Sequence, residues 1–177
     1  LGWMLSSSEG VAKNYREAFK WYQKAADQGS STAQNNLGYM YDNGQGTEKN
    51  KTMAFEWYQK AARLGSDVGQ YNVGQSYKVG SGVRKSDQLA AYWLAKAAQQ
   101  NYKSAQSSLE QVLPKLRRMR VNVKETEVYS KQSFDSQPKM SLGRGTNVYL
   151  LSQGSKWTEV YYPKNHTIGY INNTHLY

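Results

Sequence analysis

The chain has 177 residues, 38% of them hydrophobic and 13% aromatic, so it can bury a core in one or two domains. It has no cysteine and two histidines, which excludes disulfides, thiolate zinc sites and cysteine nucleophiles and leaves little imidazole for general base catalysis. No run of about 18 apolar residues predicts a membrane span. The net charge of +10, most of it carried before residue 121, favours anionic partners such as nucleic acid, lipid headgroups or acidic wall and protein surfaces.

The first 102 residues repeat with a period of about 36. The hexapeptide Trp-Tyr-Gln-Lys-Ala-Ala that begins at Trp21 recurs at Trp57 and, more loosely, at Trp93. Glycines and alanines keep the same register, at Gly10, Gly46 and Gly82 and at Ala18, Ala54 and Ala90. So many coincidences of register indicate tandem structural units.

Each unit predicts two helices joined by a turn. In the second unit, Ala33, Leu37 and Tyr41 share one face of a first helix, and residues 54–62 repeat the apolar spacing of a second helix. Residues 42–47, Asp-Asn-Gly-Gln-Gly-Thr, are turn formers. Because one pair of helices cannot bury both of its faces, the pairs are predicted to stack into a solenoid.

The repeat also carries a recognisable motif: Ala33...Leu37-Gly38...Tyr41...Gly44-x-Gly46...Ala54...Trp57-Tyr58-x-Lys60-Ala61-Ala62...Gly65. This motif resembles the Sel1-like repeat, a relative of the tetratricopeptide repeat, over about residues 1–102. The resemblance implies an αα-superhelix that binds proteins, with no catalysis and no cofactor. Leu1 occupies the position of Leu37, midway through a first helix, so we expect the first unit to lack its opening residues.

The end of the solenoid is signalled by Pro114, which interrupts the helical pattern. We predict a capping helix over Lys103–Val112 and interpret residues 115–120 as a basic connector, for which a continued helix is one alternative. Its cations could contact phosphate, although a charged linker is the simpler interpretation: Lys115, Arg117, Arg118 and Arg120. The predicted first domain, residues 1–120, is therefore about three helical hairpins with a cap.

From Val121 the apolar period changes to two, which predicts short strands in a second domain, residues 121–177. The predicted strands include Val121-x-Val123, Val128-Tyr129, residues 147–151, residues 157–162 and residues 168–171. The motifs Val121-Asn122-Val123, Gly145-Thr146-x-Val148, Trp157-x-x-Val160 and Gly169-Tyr170-Ile171 resemble the bacterial SH3-like domain. That resemblance implies a small β-barrel, of a type usually appended to envelope proteins as a binder of wall peptides or a spacer. The expected fold class is α + β in two domains.

A partner-binding groove is predicted on the first helices, if these line the concave face as in tetratricopeptide arrays. Its residues lie just off the buried Leu-Gly-Tyr stripe: Trp3, Ser6, Asn35, Tyr39, Asp42, Tyr71, Gln75 and Lys78. Aromatic rings add contact area at low entropic cost and amides bond a peptide backbone, so the groove suits an extended peptide or loop. An idle polar surface is an equally open alternative.

Other candidate residues have simpler explanations. Tyr129, Trp157 and Tyr170 could form an aromatic cleft for a peptide or muropeptide, although core packing explains Trp157 equally well. The repeated tryptophans Trp21, Trp57 and Trp93 are interpreted as core between helices, and Lys24, Lys60 and Lys96 as a solvated face beside it. His166 and His175, with Asp135 or serines, match no nucleophile and base pattern.

We therefore predict a non-enzymatic adaptor of the bacterial cell envelope that grips a protein partner through the concave face. One alternative is an inhibitor or regulator, including an immunity-type protein, of a peptidoglycan-active or secreted enzyme. Another is direct binding of cell wall or nucleic acid through the SH3-like domain or the basic surface. A periplasmic or envelope location follows from the absence of cysteine and from the type of barrel.

Overall fold

The computed structural model describes residues 14–133 and 136–177. Across these residues, six α-helices of a repeat solenoid precede an antiparallel sheet of six strands. The structure divides into two compact units that are larger than the sequence repeats: the first unit ends at Lys85 and the second begins at Ser86. The predicted opening half-helix around Leu1 lies outside the described residues.

Four helices of equal length form the described part of the first unit: α1 (Tyr15–Asp27), α2 (Ser31–Asn43), α3 (Lys51–Arg63) and α4 (Asp67–Val79). Each begins after an Asn or Ser whose side-chain oxygen accepts a hydrogen bond from the backbone N–H three residues later; these caps are Asn14, Ser30, Asn50 and Ser66. Helices α2 and α4 end at Gly44 and Gly80 in the left-handed conformation. The predicted pairs of helices and their turns are therefore confirmed.

The core of the first unit is built by consecutive hairpins packing on each other. Leu37 and Met40 of α2 are buried with Ala18 and Tyr22 of α1, and the indole of Trp57 on α3 joins them. Tyr41, at the edge of this core, meets the Phe19 ring edge-on at 5.3 Å. Trp57 thus packs into the contact between its own repeat and the second helix of the preceding one.

The turns after α2 and α4 contain a glycine that touches the preceding repeat. Gly46 and Gly82 have φ of 72° and 68°. A Cβ at Gly46 would overlap the carbonyl oxygen of Tyr15 at the start of α1, and one at Gly82 would overlap that of Lys51 at the start of α3. Each turn therefore rests directly on the backbone of the second helix one repeat earlier, and a side chain there would separate the two.

The second unit contains two helices and the sheet. Helix α5 spans Asp87–Gln99, and α6 spans Lys103–Val112, which confirms the helix predicted at that position. A 3₁₀ turn at Leu113–Lys115 follows. The strands are β1 (Arg118–Arg120), β2 (Glu125–Tyr129), β3 (Pro138–Gly143), β4 (Asn147–Gln153), β5 (Trp157–Tyr162) and β6 (Thr167–Asn172), in the order β1-β4-β5-β6-β2-β3 with antiparallel neighbours.

The sheet differs from the sequence prediction at its edges. Residues 118–120 form β1 instead of continuing a helix, because Met119 enters the core while the flanking arginines stay exposed. Strand β3 was not predicted, and Val121 makes an isolated bridge with Leu176 instead of starting a strand. Within the described residues no ladder joins β1 to β3, so the sheet is open and the expected small barrel is not confirmed.

One face of the sheet is covered, and part of the other. One face holds the apolar core, with Val128, Val148, Val160 and Ile171 at its centre. On the other face Tyr161 is only 1% exposed, and strands β4 and β6 contact helix α5. The domain boundary placed at residue 120 remains a prediction.

We expect Gly82→Ala to destabilise the protein more than Gly65→Ala. Both glycines have positive φ, which costs an alanine about 1–2 kcal/mol, but a Cβ at Gly65 meets nothing within 4 Å. At Gly82 the backbone of Lys51 must also move, so we expect a total cost of about 2–4 kcal/mol. Urea unfolding followed by circular dichroism measures both, and equal losses would refute the turn-to-helix contact.

Candidate partner-binding surface

The structure places six of the predicted groove residues on helices α2 and α4, which contact each other. We call these six the first-helix surface: Asn35, Tyr39, Asp42, Tyr71, Gln75 and Lys78. Tyr39 is 53% exposed and the other five are half-buried. Trp3 and Ser6, predicted for the same groove, lie outside the described residues. All six side chains are therefore accessible to a partner, and five of them are also partly held by packing.

An amide bridge joins the two helices at this surface. The Asn72 Nδ2 donates a hydrogen bond of 2.7 Å to Oδ1 of Asn35. Asn72 was not predicted, because in the repeat register it corresponds to Asn36, whereas Asn35 corresponds to Tyr71. The bridge fixes the spacing of two consecutive repeats and holds a pair of amides at the surface, where main-chain groups of a partner could bond them.

A second pair on α4 leaves an acceptor unused. Gln75 donates from Nε2 to the phenol oxygen of Tyr71 at 2.8 Å. The Oε1 of the same side chain is buried and has no hydrogen-bond partner among the described residues. A buried acceptor without a partner costs free energy, so the Gln75 side chain would be stabilised by turning outward and accepting an N–H of a bound ligand.

Around Tyr39, the surface is neutral although it contains a carboxylate. Asp42 forms an ion pair with Lys51 at the start of α3, with 2.5 Å between Oδ1 and Nζ. Gly38 has no Cβ, which lets the ring of Tyr58 lie against α2. Burial, reinforced by the nearby Asp42 and Tyr39, raises the pKa of Tyr58 well above its usual value, so its phenol stays protonated. Sequence reasoning missed Lys51 because it is nine residues from Asp42, on the far side of the turn between α2 and α3.

On the sheet, the three aromatic residues of the predicted cleft do come together. Tyr129 lies opposite Tyr170 across strands β2 and β6, and its ring meets that of Trp157 edge-on at 5.5 Å. Trp157 is buried, so packing accounts for it, whereas the two tyrosines are half-buried. The hydrogen bond to Glu127 raises the pKa of Tyr129, and burial, followed by Glu159, raises the pKa of Tyr170 to about 12. Sequence reasoning missed both carboxylates.

The repeated tryptophans are not equivalent in the structure. Trp57 is buried, Trp93 is half-buried and Trp21 is 39% exposed, so the core interpretation is confirmed in full for Trp57 alone. Each has a lysine three residues later whose ammonium lies over the ring, at 4.9 Å for Lys24, 3.6 Å for Lys60 and 5.6 Å for Lys96. These lysines shield indole from water, a contact of about 0.5–1 kcal/mol at an exposed site.

Both histidines make local hydrogen bonds to hydroxyl groups. Nδ1 of His166 lies 2.6 Å from the phenol oxygen of Tyr161, and Nδ1 of His175 lies 2.8 Å from Oγ1 of Thr126. Asp135 lies outside the described residues. The two imidazoles are thus accounted for by contacts within the sheet. Of the helices in the described part of the chain, none is long and apolar enough to cross a bilayer.

The family model of the Sel1 repeat matches residues 1–30, 31–66 and 67–102, in the register of the helical pairs. The chain belongs to the Sel1-repeat family. Sel1-repeat proteins are generally protein-interaction modules, and their fold is typically a non-catalytic scaffold. No match was found among curated proteins.

Solved structures with the same repeat fold are similar to the chain. A protective antigen of uropathogenic Escherichia coli with an SLR fold is 36% identical, with a TM-score of 0.62 over 64% of this chain and 24% of its own. A Sel1 repeat protein of Oxalobacter formigenes is 34% identical, with a TM-score of 0.59 over 63% and 46%. Cysteine rich protein B of Helicobacter pylori is 27% identical, with a TM-score of 0.55 over 61% and 80%. The chain thus spans less than half the length of the first two.

We expect Tyr170 of this Sel1-repeat protein to ionise near pH 12 and Glu159→Gln to lower that pKa towards 10, because the variant removes a charge and keeps an acceptor. The raised pKa of Tyr170 contributes fully to stability below pH 10. This contribution disappears between pH 10 and 12, because the phenol ionises at lower pH in the unfolded chain than in the folded protein. Titration by NMR of labelled tyrosine, assigned with Tyr170→Phe, measures the shift. Glu56→Gln is the control, and an ordinary pKa for Tyr170 in the folded protein would contradict the arrangement.

Proposed function

We propose that this Sel1-repeat protein is an adaptor that binds an extended segment of a protein partner on the first-helix surface. The observation that carries the proposal is the bridge between Asn35 and Asn72, which joins the amides of two consecutive repeats at this surface. Tyr39 offers an exposed ring one helical turn after Asn35, and Tyr71 and Gln75 offer a hydrogen-bonded pair on α4.

The binding energy comes from burial of aromatic surface, and the amides select the conformation of the partner. Tyrosine contributes a large rigid area with two rotatable bonds, so ordering it on binding costs little. When the Gln75 side chain turns outward, its unused Oε1 accepts a main-chain N–H, for which an extended peptide is well suited. Because Lys51 pairs with Asp42, Lys78 is the remaining charged member of the six, and this binding should depend weakly on salt.

We place this adaptor in the periplasm or elsewhere in the cell envelope. The SH3-like motifs of residues 121–177 and the absence of cysteine support this location. One structurally similar protein is described as a protective antigen, which also favours it. In this proposal the C-terminal sheet is an SH3-like module that acts as a spacer or a binder of wall peptides.

A second candidate, direct wall binding, draws support from the sheet. Tyr129 and Tyr170 bring two phenols together with the carboxylates Glu127 and Glu159, a combination that suits an amine-bearing wall peptide. Co-sedimentation with peptidoglycan tests it: loss of sedimentation in Tyr129→Ala with Tyr170→Ala supports wall binding, and unchanged sedimentation assigns the sheet to the spacer role.

We expect the double variant Tyr39→Ala with Tyr71→Ala to lose its protein partner. Each truncation of a central aromatic residue should lower affinity about tenfold or more. Pull-down from envelope extracts with mass spectrometry identifies the partner, and calorimetry with the purified partner measures the loss. If that partner is an enzyme, its activity with and without this chain separates an adaptor from an inhibitor.

The matched control is Tyr177→Ala, which removes an exposed tyrosine in the other unit. Circular dichroism must show that all variants keep their helices. A partner retained by the double variant, or one lost only when lysines and arginines are replaced, would overturn the role of the first-helix surface.

A further inference from the structure

The edge of the sheet formed by β1 gathers positive charge from three places in the chain. We call this set the basic edge: Lys115, Arg117, Arg118, Arg120, Lys124 and Arg144. All six side chains are exposed. Four of them come from the segment that the sequence analysis interpreted as a linker, whereas Arg144 belongs to the turn between β3 and β4.

Hydrogen bonds between the turn after β3 and the chain at the end of β1 hold these cations close together. Arg120 donates from Nε to the carbonyl oxygen of Gly145 at 3.3 Å, and the N–H of Gly145 donates to Val121 at 2.8 Å. The N–H of Arg144 donates to the carbonyl oxygen of Lys124 at 3.1 Å. The turn after β3 therefore lies directly on the end of β1 and the chain that follows it, and residues 20 to 25 positions apart share one edge.

The charge of the basic edge is not neutralised. Residues 111–124 contain five of the six cations and no Asp or Glu. Among the described residues, the ion pair with an N–O distance below 4 Å joins Lys51 to Asp42. Both of these residues lie in the other unit, so neither belongs to the basic edge. Met119 and Leu116 are buried, which anchors the arginines between them to the sheet. Glu125 follows Lys124 and lies opposite Gly143, next to Arg144, but forms no ion pair shorter than 4 Å with either cation among the described residues. The edge thus presents a positive surface that is densest over residues 115–120.

An exposed aromatic residue completes the edge. Tyr177 is 59% exposed, and its backbone exchanges hydrogen bonds of 2.9 and 3.1 Å with Arg120. These bonds occupy the free side of β1, so the edge does not offer its backbone to another strand. Tyrosine is an amphipathic residue that favours the boundary between lipid headgroups and acyl chains.

We propose that the basic edge is a docking surface for anionic phospholipid headgroups. Arginine bonds phosphate oxygens in a bidentate fashion, and clusters of 4–8 cations with a flanking aromatic are suited to a charged bilayer surface. Single-stranded nucleic acid, by contrast, is bound on several aromatic residues that stack successive bases. Tyr177 is the large exposed aromatic on this edge among the described residues, which favours lipid.

Co-sedimentation of the full chain with vesicles tests the proposal. Vesicles of phosphatidylcholine with phosphatidylglycerol should bind the protein, vesicles of phosphatidylcholine alone should not, and binding should weaken between about 50 and 200 mM salt. The variant Arg117→Gln, Arg118→Gln, Arg120→Gln should bind about 100-fold more weakly, since each cation near an anionic surface contributes about fivefold.

The control variant is Arg16→Gln, Arg63→Gln, Arg84→Gln, which replaces three exposed arginines in the other unit and has the same net charge. It should bind vesicles at most about threefold more weakly than the wild type, because the loss of three positive charges weakens the general attraction to an anionic surface. Equal losses in the two variants would overturn the assignment to this edge. Tighter binding to single- or double-stranded DNA than to vesicles, lost in the first variant alone, would replace the lipid with nucleic acid and also overturn the proposal.

Discussion

The repeat depends on close backbone contact between consecutive hairpins. Gly46 and Gly82 adopt a left-handed conformation in which their turns touch the first residues of the second helix one repeat earlier. The indole of Trp57 joins the core that forms between α1 and α2, where the two repeats meet. The distance between repeats is thereby set by backbone, which is less compliant than side chains, and Asn35 and Asn72 come within hydrogen-bond reach as a result.

The sheet is stabilised on two faces by different kinds of packing. Small branched side chains such as Val128, Val148 and Ile171 fill one face. The other face buries the large ring of Tyr161 and bonds to the helix before it, since Gln99 donates from Nε2 to the carbonyl oxygen of His166 at 2.7 Å. An open sheet with one bare face would expose apolar surface, so the contact with α5 compensates for the absence of closure into a barrel.

The two candidate surfaces differ in their electrostatics. On the first-helix surface, Asp42 is paired and the remaining polar groups are mostly amides and phenols, so shape and hydrogen bonding decide what binds. On the basic edge no ion pair shorter than 4 Å forms within the part of the chain that the structure describes, so long-range attraction decides. The positive charge of the chain therefore matters for binding at the basic edge more than at the first-helix surface. Added salt should weaken binding at the basic edge and change binding at the first-helix surface little.

The sequence by itself determined the helical pairs, because their period, caps and glycine turns are local features that reappear every 36 residues or so. It also indicated the strands β4, β5 and β6, which are runs of apolar β-branched and aromatic residues bounded by turn formers. Strand β3 escaped because an exposed edge carries little alternation, and β1 because its arginines disguise a strand around a single buried Met119. Tertiary structure alone decided the partnership of Asn35 with Asn72, of Asp42 with Lys51 and of Arg144 with the β1 edge. Each of these joins residues whose proximity follows from how elements pack, and packing is a property of the whole fold that no local pattern encodes.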